Sequence, residues 1–548
     1  MTQNESCLLE SASDSHVIVL VRDCLEMTWC GKISLACSVF IGSIAVIIGA
    51  LALTVVDGVI NSNVLQRDYL GYEEVNGSRT LNSMTKSWLR PAYYMEQQIW
   101  MFHVENAAEI IRGAKPKLRE IGPFTFIEKQ WKSHHEFVDN DTRIFYRNEH
   151  VYTFNESLSC PTCSLSRRVV IPNVIFQKLV DFASQGFLQR LAITAILTAT
   201  AETPFINVTV QEALFDGYHD PIIDAVCEKP ILSMLCDALK IPQRIGFLYG
   251  QNNTDDGLYE VSTGLGAPWN IGKVHSFNNM SILPEYVWDS TDAREIRGVD
   301  GQLFPPLLEE GREIEIFAGP ICRTVTMRFH ERSEFRGIAA FRYGFPANIY
   351  DPTVPENRGF CNRNNTPAFF NTTVQIPGCL PKGLLDISRC LPGAPRIYIS
   401  QPHFLNAPRA VLYSVEGMRL PNEKDDATFV EIEPTSGVPI RAKRRVQINV
   451  GLTKGDLNIL PAMNNIICPT LWMNETVRFD DGTKSQLDQL LFAKHLAYTV
   501  GVSFLTVGLL IFFITVVTVV IYTVLKPRME DEQPILQEES VEEEVGDI

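Results

Sequence analysis

Two long stretches without a charged residue interrupt an otherwise mixed pattern of polar and apolar positions: Ile33 to Val56 and Leu496 to Leu525. A hydrocarbon core of about 30 Å takes roughly 20 apolar residues as a helix. Each stretch therefore predicts a membrane-spanning helix. The first begins too late and lasts too long for a cleaved signal peptide and predicts an uncleaved anchor. Two spans place tails 1–32 and 526–548 on one side and a large domain, 57–495, on the other.

Within that domain the pattern changes period. Val59 to Leu118 reads as helix and then strand. Phe124 to Phe126, Thr142 to Tyr146 and Val151 to Phe154 alternate as half-buried strands do. Between Val174 and Thr200, Phe176, Leu179, Val180, Phe187, Leu188, Leu191 and Ile196 recur at helical spacing. Lys178, Asp181, Gln185, Gln189 and Arg190 exclude a third span there. A second helical patch covers Ile222 to Leu239. From Arg244 onward, short β-rich runs are punctuated by turns such as Asn252 to Gly257, and Ala427 to Glu433 pairs with Val438 to Val450 around Pro434-Thr-Ser-Gly437. The expected fold is α+β: a β-rich domain carrying a helical insertion at about 172–240.

Charge and sequons fix the orientation. Arg22 and Lys32 precede the first span and Lys526 and Arg528 follow the second, which predicts cytosolic tails. Nine Asn-x-Ser/Thr sequons lie between the spans, at Asn76, Asn140, Asn155, Asn207, Asn252, Asn279, Asn364, Asn371 and Asn474. They predict a glycosylated luminal or extracellular domain. Nine of the thirteen cysteines also lie there, and in an oxidising compartment disulfides are the expectation. Nine is odd, so at least one is free or intermolecular. Cys227 with Cys236 is a plausible local bridge, and Cys30 and Cys37 sit at the membrane boundary, where S-palmitoylation is expected. The net charge of −16 excludes a nucleic-acid binder. The second tail, from Glu530, is acidic and solvated.

Catalytic signatures are missing. There is no Gly-x-Ser-x-Gly elbow, His-Glu-x-x-His helix or Walker loop, and no metal or other cofactor is implied. His134-His135-Glu136 predicts a solvated strand face. Cys160-Pro-Thr-Cys163 has redox spacing, but without a surrounding βαβ pattern it predicts one local disulfide or two separate ones. A non-enzymatic protein is expected. A two-span channel is disfavoured because the second span is uniformly apolar. Gly501 and Gly508, seven apart on that span, suggest a helix contact and with it a homo-oligomer.

An ordered set of motifs carries more information. Arg112-Gly-x-x-Pro116, Gly122-Pro-Phe-Thr-Phe126, Gly217-Tyr-His-Asp-Pro221 and Asn252 to Gly257 come first. Phe304-Pro-Pro306, Ile321-Cys-Arg323, Phe341-Arg-Tyr343, Gly383 to Ser388 with Cys390, and Pro402-His-Phe-Leu405 follow. Glu431 to Gly437, Ala442 to Asn449 and Leu471-Trp-Met-Asn-Glu475 complete the series. In this order, between two terminal spans, they resemble the class B scavenger receptor family. That family includes the fatty acid translocase, high-density lipoprotein receptor and lysosomal integral membrane protein types, and insect sensory neuron membrane proteins.

The resemblance implies a barrel-like β-rich ectodomain, an apical helical bundle and an apolar tunnel. It implies lipids or lipoproteins as partners, with lipid passed to the membrane, or in the lysosomal type a luminal protein ligand. Lys178 and Arg190, on the apical helices, become candidate docking residues. The resemblance also implies pairing of Cys322 with Cys390 and of Cys361 with Cys379. A cysteine that some members carry within Trp288 to Asp300 is missing here, which favours the lysosomal-type pairing. In the second tail, Asp531 with Ile535-Leu536 resembles an acidic dileucine signal read by clathrin adaptors. Location at the plasma membrane, the endosome-lysosome system or both is expected.

Overall fold

The structure is a computed structural model describing residues 29–223, 227, 234, 236–237, 242–363, 366–371 and 373–530, with side chains from 31 to 523. Asp531, Ile535, Leu536, the Asn364 sequon and the side chain of Cys30 lie outside the described residues. Two compact units form, one from residues up to Ser62 and from Gln486 onward, the other from Asn63 to Ser485.

In the first unit the apolar stretches belong to longer continuous helices, Trp29–Arg67 and Asp481–Glu530. Outward side chains such as Phe40 and Phe513 are large and apolar, which suits lipid rather than water. Where the helices meet, both carry glycine at seven-residue spacing: Gly42 and Gly49 on one, Gly501 and Gly508 on the other. A Cβ on Gly49 would lie 2.7 Å from the Leu505 nitrogen, and one on Gly508 would lie 2.9 Å from the Gly42 oxygen. The backbones therefore touch, as small-residue seams allow. The contact foreseen for Gly501 and Gly508 is thus made to the first span of the same chain. This seam is not a free surface for a second copy.

The second unit is built on one large antiparallel sheet. Its main path runs Ile314–Ala318, Arg323–Phe335, Ile338–Gly344, Phe429–Ile432, Pro439–Leu452, Ile466–Arg478, Met95–Val104, Leu118–Val138, Arg143–Phe154, Thr254–Ser262, Val274–Phe277. Strands Leu384–Asp386 and Ile397–Ser400 branch from Pro439–Leu452. The hairpin expected around Pro434–Gly437 is present, with Val430 opposite Ala442.

The two ends of that path are joined by a short connecting segment. Val274 donates to the Gly298 carbonyl at 2.9 Å on one side. On the other, Val299 donates to Glu315 at 2.8 Å and accepts from Phe317 at 2.9 Å. This closes the sheet into a nearly complete barrel and removes its edges. Glycine is required at the joint: Gly298 has φ +83, and a Cβ there would lie 2.2 Å from the Glu315 oxygen.

Helices Val174–Ala183 and Phe187–Thr200 form a helical cap on this unit; most of the second helical patch expected at 222–239 lies outside the described residues. The first is capped by Asn173, whose carboxamide oxygen accepts from the Phe176 amide and whose nitrogen donates to buried Asp220 at 2.7 Å. Asp220 belongs to the Gly217–Pro221 motif, so that motif locks the helix start. Gln177 ties the same helix to the barrel by accepting from the Thr453 amide at 2.7 Å. Val174, Ile175, Phe176, Leu179, Val180 and Ala183 are buried beneath it. The second helix instead exposes Phe187, Leu188 and Leu191.

Four disulfides staple the unit: Cys160–Cys163, Cys227–Cys236, Cys322–Cys390 and Cys361–Cys379. Cys468 is free and buried, and burial pushes its thiol up to about 12.

The seam between the membrane helices makes a direct prediction. A Cβ on Gly501 falls 3.3 Å from the Ala52 Cβ, close to the separation of about 3.5–4.5 Å that a disulfide spans. The double variant Ala52→Cys, Gly501→Cys cross-links within one chain under mild oxidation, read as a mobility shift. Adding Gly49→Leu abolishes the cross-link.

Candidate functional site

The closing segment assigns the inward face. Asp300, on the closing segment, accepts from Tyr146 at 2.8 Å. Phe304, four residues on, packs with Tyr343, Val430 and Ile432 of the far wall. The faces bearing Tyr146 and Tyr343 therefore look at each other. The register carries this face around the wall: Glu128 is opposite Tyr152, Phe126 opposite Gln97, Gln97 opposite Glu475 and Glu475 opposite Arg444.

Nearest the cap the inward face is apolar and aromatic. Phe215, from the turn below the cap, lies 4.9 Å from Phe126 and 5.3 Å from Tyr152, ring to ring, and Phe126 lies 5.4 Å from Phe154. Val446, Ile448, Met473, Tyr152 and Phe154 are only half-buried although each sits within the barrel wall.

Below this lies a charged belt. The Glu128 carboxylate, fully buried, accepts from Gln130 at 2.6 Å and pairs with the His150 ring at 2.7 Å. Burial raises the Glu128 pKa, but the hydrogen bond and charge of His150 outweigh it and hold Glu128 below its ordinary value. Burial likewise opposes the charge on His150, yet Asp256 and Glu128 together raise it to about 9. Glu475 is pushed up by burial against the pull of its partner Arg444. Arg444 stays charged, raised first by Glu475. Its side chain remains 65% accessible.

Deeper still, burial lowers the Lys132 ammonium to about 8 and raises the Asp300 carboxyl. Lys132 stands 5.4 Å over the Trp88 ring, whose edge meets Tyr146. Several inward polar atoms, including Glu128 Oε2, Gln97 Oε1 and Asn148 Oδ1, have no protein partner. Polar groups of this kind are ordinarily satisfied by water or a ligand.

A second charged cluster lies on the outward face. His403 is fully buried, with Nδ1 2.9 Å from Asp426 and Nε2 3.2 Å from Glu120. Trp472, stacked on Trp100 at 3.9 Å, donates to Glu120 at 2.7 Å. Arg419 also pairs with Asp426. Burial opposes every charge here, but the contacts prevail: His403 is raised, and Glu120 and Asp426 are lowered.

The residues singled out from sequence are scattered rather than gathered. Lys178 is half-buried on the first cap helix, and burial lowers its pKa. Arg190, on the second, is paired with Asp456 at 2.7 Å. Asn76, Asn140, Asn207, Asn252, Asn279 and Asn371 are exposed, and Asn155 is half-exposed. Asn474 differs from the other described sequons. It is 7% exposed in the barrel wall, with its amide nitrogen donating to Gln98 and its oxygen accepting from Arg445. Cys37 is a free, exposed thiol on the first membrane helix. His134 to Glu136 form an exposed bulge, and among the described residues no cluster suits a metal. The inward belt was missed in sequence, although Glu128 and Gln130 continue the parity of Phe124 and Phe126, and Asn148 and His150 lie between Tyr146 and Tyr152.

The profile of the CD36 family matches residues 40–519. The chain is 31% identical over 463 residues to lysosome membrane protein 2 of Rattus norvegicus, spanning 84% of this chain and 88% of that one. It is 27% identical over 486 residues to scavenger receptor class B member 1 of Sus scrofa, spanning 87% and 88%. It is 29% identical over 426 residues to sensory neuron membrane protein 1 of Helicoverpa assulta, spanning 74% and 77%.

The His403 cluster sets a pH window. His403, raised above its ordinary 6.5, contributes stability fully below pH 6.5 and loses it as pH rises through the folded value. Glu120 and Asp426, lowered from 4.5 and 3.8, contribute above those values and lose it as pH falls. The cluster is thus most stabilising between about pH 4.5 and 6.5. In thermal melts, His403→Gln costs on the order of 3 kcal/mol at pH 5.5. The same variant shows a smaller decline than the wild type between pH 6.5 and 8.5.

Proposed function

Because the chain belongs to the CD36 family, we propose that this two-pass membrane protein is a lipid-handling class B scavenger-type receptor. Its ectodomain takes up an acyl or steryl group and passes it through the barrel interior toward the membrane. The observation that supports this most is the half-burial of Val446, Ile448, Met473, Tyr152 and Phe154 on the inward face. A tightly filled barrel would bury them. A hollow beneath the cap leaves them accessible, and apolar cargo there avoids hydration worth about 0.8 kcal/mol per CH₂. The belt of Glu128, His150, Glu475 and Arg444 then meets the polar end of an amphiphile and supplies partners for its hydroxyl or carboxyl oxygens.

A second reading is favoured by lysosome membrane protein 2 among the relatives and by the acid-side window of the His403 cluster. In it the receptor resides in lysosomes, delivered by clathrin adaptors that read Asp531 and Ile535-Leu536, and binds a luminal protein or exports lipid.

Two measurements test these readings. Mass spectrometry of the purified full chain finds fatty acid, sterol or phospholipid at near one per protein. Met473→Trp, which fills the inward face, lowers that occupancy about tenfold, equivalent to ~1.4 kcal/mol. An empty wild-type protein, or equal occupancy in the variant, contradicts interior binding. Separately, Ile535→Ala with Leu536→Ala raises abundance at the cell surface if the tail directs lysosomal delivery. An unchanged surface level rejects that route.

A further inference from the structure

Apart from the barrel interior, Arg323 stands out among the described residues as a buried cation without an ion-pair partner. Arg323 is 3% exposed. Its Nη2 donates to the Ile349 carbonyl and to Asn357 Oδ1, both at 2.9 Å. The guanidinium lies 3.8 Å from the Phe360 ring centre and 5.2 Å from that of Tyr350. Nε has no acceptor. No carboxylate among the described residues pairs with it, and burial lowers its pKa to about 10. A fully desolvated guanidinium without an anion is costly, and stacking on rings offsets only part of that cost.

Beside it is a cavity of about 20 Å³, lined by Arg323, Tyr350, Asn357, Phe360, Asn362 and Asp386. That volume holds one water or one monatomic ion. Asp386 is engaged elsewhere. It accepts from the Ser388 amide at 2.9 Å and the Ser388 hydroxyl, Asn362 approaches at 3.5 Å, and burial raises its pKa. Water in the cavity would satisfy the free N–H but leave the positive charge uncompensated. The site is also held rigidly. Arg323 follows Cys322 of the Cys322–Cys390 bridge, and Phe360 and Asn362 flank Cys361 of the Cys361–Cys379 bridge.

We propose that this cavity binds a single halide, chloride under physiological conditions, held by Arg323. The anion neutralises the buried guanidinium and fastens the disulfide-bonded segment around residues 349–390 to the barrel strand that carries Arg323.

The test uses the full chain in detergent with sodium gluconate as the background salt. Replacing gluconate with bromide at constant ionic strength raises the unfolding midpoint saturably in the wild type. In Arg323→Gln that rise is lost. Asp386→Asn, which removes a competing negative charge, tightens the halide response. The ³⁵Cl resonance of added chloride broadens with the wild type and is narrowed again by bromide but not by gluconate. This readout decides the matter even if Arg323→Gln does not fold. A midpoint that follows ionic strength alone, an equal response in folded Arg323→Gln, a weaker response in Asp386→Asn, or no bromide-sensitive broadening overturns the proposal. A response that is absent from the wild type and appears only in Asp386→Asn would mark a water-bridged Arg323–Asp386 pair instead.

Discussion

Closure of the sheet at Gly298 and Val299 is the constraint on which the rest of the ectodomain depends. An antiparallel sheet of this size with open edges would expose a row of unpaired amides and carbonyls at each end. Here two residues bond to Val274 on one side and to Glu315 and Phe317 on the other. The joint tolerates no side chain at 298, where a Cβ would collide with the neighbouring strand. Once the ends are joined, the strands have an inside and an outside, and the alternation of side chains acquires meaning. The same segment sends Asp300 and Phe304 inward to touch opposite walls, so closure also organises the interior.

The two faces use charge differently. Outside, buried His403 and Asp426 form with Glu120 and Arg419 a mutually paired cluster whose balance favours mildly acidic pH. Inside, Arg444 remains largely accessible and Glu128, Gln97 and Asn148 keep unpaired oxygens. A structural cluster completes its hydrogen bonds, whereas one that receives something from outside leaves some open. The apolar rings above and the charged belt below suit a molecule with one greasy and one polar end.

Much of the architecture was legible in the sequence. The charge-free stretches mark the membrane helices because lipid admits little else. The Pro434–Gly437 turn with flanking alternation gave the hairpin, and helical spacing from Val174 marked the cap. The site was harder to read. A strand shows which residues share a face but not which face is inside. That choice is made by closure, through a glycine that looks like any turn glycine. Asn474 shows the same limit: its sequon is ordinary, but its strand position buries the amide. The glycine seam was visible as spacing on the second span, yet its partner, Gly42 and Gly49 on the first, emerges only when the helices pair.

The most direct test of interior binding is to map where a photoreactive fatty acid attaches to the full chain in membranes. Peptide mass spectrometry should find label on the inward parity of adjacent strands, at Tyr152, Val446, Ile448 and Met473, and not on their outward neighbours Arg445, Gln447 and Trp472. Label confined to the outward residues, or to Phe187, Leu188 and Leu191 on the exposed cap helix, would contradict passage through the barrel.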